Sequence, residues 1–154
     1  MWRIILIGFL LVGACASPRQ VLEVKQFHLR DASISEGFDS SETEVMRGEK
    51  LRHLHGAVTA EERQGRLGDY YAVSWEGPEG TEDEEVRLVF AYRQAATASA
   101  IKTMEQKFPG KWSGTGEFVL NGETYARGGR VLAWRVQFYR GSHLVATRRS
   151  YLWE

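Results

Sequence analysis

The chain has 154 residues, 20 Lys+Arg against 20 Asp+Glu, and 43% hydrophobic side chains. That composition belongs to a folded globular protein and excludes a disordered tail or a basic nucleic-acid binder. A single cysteine excludes an intrachain disulfide and a cysteine-based zinc site, and the length suffices for one domain with its own core.

Residues 1–14 read as a helical signal peptide. Arg3 supplies a positive start, Ile4 to Val12 form an apolar run broken only by Gly8, and Gly13 and Ala14 are small. The run is short for a bilayer crossing. Cys15, the only cysteine, follows at once. Val12-Gly13-Ala14-Cys15, with Leu11 before it, resembles the lipobox of bacterial lipoproteins. The resemblance implies a diacylglyceryl group on the Cys15 sulfur, cleavage just before it, and an acyl chain such as palmitate on the new amino terminus. The implied partner is therefore a membrane, reached through lipid, since several acyl chains on one residue anchor stably where one does not. Ala16 rather than Asp follows the cysteine, which resembles the enterobacterial pattern for cargo passed to the outer membrane.

Residues 15–44 are expected to be a lipidated tether. Ala16 to Gln20 is a spacer, Val21 to Leu29 has strand-like content without a clean face, and 31–44 is serine-rich and acidic. The domain proper is expected over 45–154, where the period is two. Tyr71, Val73 and Trp75 alternate with Ala72 and Ser74. Val86, Leu88, Phe90 and Tyr92 share one face, and Val89 and Ala91 on the other predict a central strand. Ala98 to Lys107 has helix-forming composition but lies between strands, and an edge strand is slightly favoured over a helix. Asn121-Gly122 between Leu120 and Glu123 predicts a hairpin. Leu132, Trp134, Val136 and Phe138 form another apolar face, followed by a turn at Gly141-Ser142 and a last strand over 144–153.

Six to eight short alternating strands predict an all-β fold, an antiparallel β-sandwich. The order of aromatic strands over 69–153 resembles fibronectin type III and other immunoglobulin-like modules that lack a disulfide. Gly110-Lys111-Trp112 is similar to the lipocalin Gly-x-Trp motif. In lipocalins that motif opens the barrel, whereas only 42 residues follow Trp112 here, so a barrel is rejected.

No nucleophile elbow, P-loop, dinucleotide fingerprint or helical zinc-protease motif is present, so neither an enzyme nor a cofactor is expected. His53 and His55 are the candidate metal pair. On a strand, residues two apart project from one face about 6.6 Å apart, within reach of one ion. No third ligand is identifiable, and no metal is expected. Glu76 to Glu85 carries six acids and no base but lacks calcium-loop spacing, and reads as a solvated loop.

Residues 15–85 hold 8 basic and 16 acidic groups, and residues 86–154 hold 11 and 4. Mutual neutralisation of the two halves is favoured over a charged binding surface. In the terminal hairpin, paired positions sum to 283 with a two- or four-residue loop and to 284 with a three-residue one. The first sets Arg135 opposite Arg148, a candidate anion site. The second turns Arg148 toward the core. The expected function is that of a lipid-anchored envelope lipoprotein, a non-enzymatic interaction or structural module that holds another envelope protein. The alternative is a metal- or anion-binding accessory, or an enzyme, with its site near His53 and His55.

Overall fold

The computed structural model describes residues 21–32, 44–77, 80, 83–97 and 99–154. The signal sequence and Cys15 lie outside the described residues. In chain order the elements are β1 (Leu22–Leu29), helices α1 (Glu44–Leu54) and α2 (Ala60–Gln64), β2 (Gly68–Glu76), β3 (Val86–Gln94), a 3-10 turn (Ala95–Thr97), β4 (Lys102–Phe108), β5 (Ser113–Asn121), helix α3 (Gly122–Gly128), β6 (Val131–Arg140) and β7 (His143–Arg149). The strands form two sheets, β1-β2-β5 and β4-β3-β6-β7, and every pairing is antiparallel.

Period-two patterning gives each strand one apolar face, and the two sheets bury those faces against each other. Tyr71, Val73, Trp75, Phe118 and Leu120 of the three-stranded sheet meet Leu88, Phe90, Trp134, Val136 and Phe138 of the four-stranded one. Ring centroids lie 4.7 Å apart for Tyr71 and Phe90, 5.0 Å for Phe90 and Phe118, and 6.4 Å for Trp75 and Phe138. Each such side chain, fully buried, contributes about 1.5–3 kcal/mol. The result is a sandwich-like arrangement with β3 as the central strand.

Other expectations fare unevenly. The 21–29 stretch is a full strand, paired with β2 over eight residues and burying Leu22 and Leu29. Residues 102–108 form the edge strand β4, so tertiary pairing with β3 overrides helix propensity there. The chain after residue 44 begins not with period-two strands but with α1 and α2. Nor does Asn121-Gly122 make a hairpin. A type I′ turn needs positive φ at both central residues. Asn121 stays extended at φ −128°, held opposite Gly68 as the last residue of β5, and only Gly122 turns left-handed at +53° to enter α3. The buried Gln94 amide fixes that helix by donating to the Thr124 and Gly129 carbonyls, at 3.2 and 3.0 Å.

The terminal hairpin uses both registers. Arg140↔His143 and Tyr139↔Leu144 sum to 283, and then a bulge shifts Phe138↔Ala146, Val136↔Arg148 and Arg135↔Arg149 to 284. Val145 is the extra residue, and it packs on the core beside Ala146. At this end of the sandwich the buried Arg140 donates to the Glu84, Lys111 and Trp112 carbonyls, tying together the β2–β3 and β4–β5 loops.

Candidate functional site

Besides the Arg140 cluster, three polar constellations among the described residues lie on different parts of the sandwich. On the outside of the three-stranded sheet, Leu54 packs over Leu29 and Tyr70, with Phe27, Leu67 and Val119 around them. Beside this contact lies a cleft of about 410 Å³, lined by Phe27, Val45, Met46, His53, Tyr70 and Glu117 among others. His53 is in α1, not on a strand. Its ring is buried against Phe27, with centroids 5.1 Å apart, and Tyr70, at 3.8 Å. Arg52 Nη2 lies 2.9 Å from His53 Nε2, and Arg52 is itself paired with Glu49 and Glu117. Burial, and then the Arg52 charge, hold the His53 pKa below its ordinary value.

This arrangement corrects the metal pairing. The Arg52 guanidinium, at 2.9 Å, and Glu49 Oε2, at 3.5 Å, already stand against His53 Nε2, so that nitrogen is engaged within the protein. His55 falls in the exposed turn after α1, so the same-face argument for two strand residues does not apply. Among the described residues no group of three metal-ligating side chains comes together.

The second constellation closes one end of the sandwich. Asp69 is completely buried, and its carboxylate accepts from His28 Nδ1 at 2.8 Å, Arg30 Nη2 at 2.7 Å and the Val131 N–H at 2.7 Å. Arg30 also donates to the Tyr125 hydroxyl at 2.5 Å. Burial alone would raise the Asp69 pKa. The His28 hydrogen bond, the Val131 N–H and the Arg30 charge outweigh it and hold the carboxyl below its ordinary range. The cluster ties β1, β2, α3 and β6 together.

The third is the outer face of the four-stranded sheet. Arg87, Val89, Ala91 and Arg93 of β3 alternate with core residues, as do Thr103, Glu105 and Lys107 of β4 and Arg135, Gln137 and Tyr139 of β6. The two ends of this face differ. At one end Glu105 lies 3.6 Å from Arg87 and 3.9 Å from Lys107, Lys107 also meets Glu85 at 3.6 Å, and Arg87 sits over the Tyr139 ring. At the other end Trp153 folds back over Ala91 and Ala133. Arg93 and Arg135 stand over its ring, with Cζ 5.4 and 5.1 Å from the centroid. Arg149 is paired directly opposite Arg135, and its Nη1 lies 3.5 Å from the Trp153 carbonyl. None of these three arginines forms an ion pair among the described residues.

The bulge therefore separates the expected Arg135–Arg148 pair. Arg148 lies on the opposite face of β7, exposed at the rim of the sandwich, where its Nε donates to the Leu22 carbonyl of β1 at 2.8 Å and bridges the sheets. Arg135 is joined instead by Arg149, its partner in the register summing to 284, and by Arg93, which sequence spacing does not connect to it. Among the described residues two ion pairs carry the expected neutralisation between halves. Lys107–Glu85 joins them, as does Arg52–Glu117 with the signs reversed, while at the Trp153 end no ion pair forms among the described residues. No family model, no curated protein and no solved structure matches this chain.

Proposed function

We propose that this protein is a lipid-anchored, non-enzymatic interaction module of the bacterial cell envelope, tethered through Cys15, that holds an acidic envelope protein against the outer face of its four-stranded sheet. The observation that carries the reading is the contrast between the two sheets. Helix α1 packs on the outside of one, while the other presents Arg87, Arg93, Lys107, Arg135 and Arg149 with Glu105 as the acid among them. Charge complementarity selects an acidic partner for such a face. The strand orders β1-β2-β5 and β4-β3-β6-β7 support an immunoglobulin-like, fibronectin type III-like reading of the sandwich. β1, β2 and β5 pair as strands A, B and E do, β3, β6 and β7 as C, F and G, and β4 lies beside β3 as C′ does. The leader pattern supports export, with the outer membrane favoured.

Two measurements test this. A photo-crosslinking residue at Gln137 or Thr103 should trap an acidic protein in cells, and the same residue at Glu61 on α2 should not. Equal yields from both faces would reject the sheet as the docking surface. Cys15→Ser should abolish incorporation of labelled fatty acid, and continued labelling would reject the anchor.

A further inference from the structure

We propose that Arg93, Arg135 and Arg149, gathered around Trp153, form a binding site for a phosphate oxyanion. The inference goes beyond the protein-partner reading and stands without it. Arg135 and Arg149 are direct cross-strand partners, and Arg93 is a diagonal neighbour of Arg135, because Arg135 pairs with Ala91 and Arg93 with Ala133. Direct partners in an antiparallel pair have Cβ atoms about 5 Å apart, and diagonal ones about 7 Å. Like charges so close destabilise a sheet unless something of opposite sign answers them. At the Glu105 end of the same face acids do so. At the Trp153 end, among the described residues, none does.

The details point outward. The Nε atoms of Arg93 and Arg135 are buried and have no acceptor among the described residues. Compensation for each charge must therefore come through the Nη groups. Cation–π contact with Trp153 fixes both guanidiniums without using any of their N–H donors, so the ring pre-organises the site at little cost in entropy. Trp153 is itself buried, over two alanines that leave room for it. Three guanidiniums present more donors and more charge than one carboxylate can use. A phosphate monoester, with three terminal oxygens and close to two negative charges, matches them. The group could be free phosphate or the head of a phosphomonoester lipid, since the recognising chemistry is the same.

The test uses the purified full-length protein and its variants. Inorganic phosphate, titrated against chloride at matched ionic strength, should shift the Trp153 indole N–H resonance and raise the melting temperature. Acetate should do neither. Arg149→Gln should leave the chloride melting temperature unchanged or slightly raised, because it relieves the Arg135 repulsion, while weakening phosphate binding about tenfold, the loss expected for one charge-assisted contact. Arg135→Gln should weaken it at least as much. If that variant is poorly folded, Arg135→Lys, which keeps the charge but loses the planar fork, should bind more weakly than wild type. Sedimentation of the Cys15→Ser protein, which lacks the acyl anchor, with phosphatidylcholine vesicles containing phosphatidic acid, against phosphatidylcholine alone and with and without competing phosphate, distinguishes the sources. Competition places the lipid head in this site, and phosphate binding without sedimentation assigns it to a soluble group. A phosphate response equal to that of acetate, or one unchanged in Arg149→Gln and Arg135→Lys, would overturn the proposal.

Discussion

Gly114 stands directly opposite Trp75 across the β2–β5 ladder, and the indole fills the space that a side chain at 114 would need. A Cβ on Gly114 would lie 2.4 Å from Trp75 Cζ2. Two residues on, a Cβ on Gly116 would lie 2.9 Å from the Phe108 ring, whose centroid is 4.7 Å from that of Trp75. The alternating glycines of β5 thus hollow its inner face for two aromatics supplied by β2 and β4. Gly114→Ala should destabilise the fold by about 1–3 kcal/mol, the range for forcing atoms into a filled core. Trp75→Phe shortens the ring that collides and removes an indole N–H that has no partner among the described residues. The double variant should therefore cost less than the sum of the singles in urea unfolding. Strict additivity would show that the ring and the glycine are not coupled.

Asp69 predicts the acid behaviour. Its folded pKa lies below its ordinary value, so the stabilisation it provides is fully present above the unfolded value of about 3.9 and is lost as pH falls through the folded one. Asp69→Asn should cost about 1–3 kcal/mol at neutral pH, because His28, Arg30 and the Val131 N–H lose a charged acceptor. The variant's stability should also fall less steeply than that of wild type below about pH 4. Parallel acid-unfolding curves would contradict this.

His53 predicts a second pH dependence, in a higher window. Its folded pKa is also depressed, so its contribution is present above the ordinary histidine value of about 6.5 and is lost as pH falls below it. His53→Phe keeps the ring between Phe27 and Tyr70 but cannot titrate. Its stability should fall less than that of wild type between pH 7 and 5. A proton NMR titration giving His53 a midpoint above the ordinary value would reverse the sign and sink the argument.

The parts of the fold that were legible in the sequence are those in which local pattern and tertiary role coincide. Val86 to Tyr92 and Leu132 to Phe138 alternate because each strand has one face in the core, so their period is their environment. Helix α1 gives no such signal. Val45, Met46 and Leu51 are exposed, and only His53 and Leu54 are buried, too few for an apolar stripe. Helix α2 did carry a readable mark. Thr59 and Glu62 form a capping box, and Thr-x-x-Glu is its sequence signature. Of the arginine site, Arg135 and Arg149 are brought together by the register summing to 284, whereas Arg93 carries no such mark. Arg93 and Trp153 lie 60 residues apart and meet only because the chain folds back after β7.

The choice of Arg149 over Arg148 as the partner of Arg135 rests on one bulged residue, and it can be tested directly. Two-residue turns favour a register summing to 283, and Gly141-Ser142 adopts one, with Gly141 at a φ of +50° that glycine tolerates best. Continued along the strand, that register would put Val145 alone against Phe138, and Gln137 opposite Ala146. The bulge places both Val145 and Ala146 on the core and gives Arg148 the Leu22 carbonyl, gains that outweigh one unpaired backbone position. Gln137 is then opposite Thr147. In a Cys15→Ser background, the pair Gln137→Cys and Thr147→Cys should oxidise readily to an intrachain disulfide, because cross-strand partners bring their Cβ atoms within bridging range. Gln137→Cys with Ala146→Cys should not, because Ala146 faces the core and Gln137 the outside. Mass spectrometry under non-reducing conditions reads the result. Efficient bridging of 137 to 146 would mean that the strand runs unbulged, with Arg148 on the outer face opposite Arg135 and Arg149 turned inward.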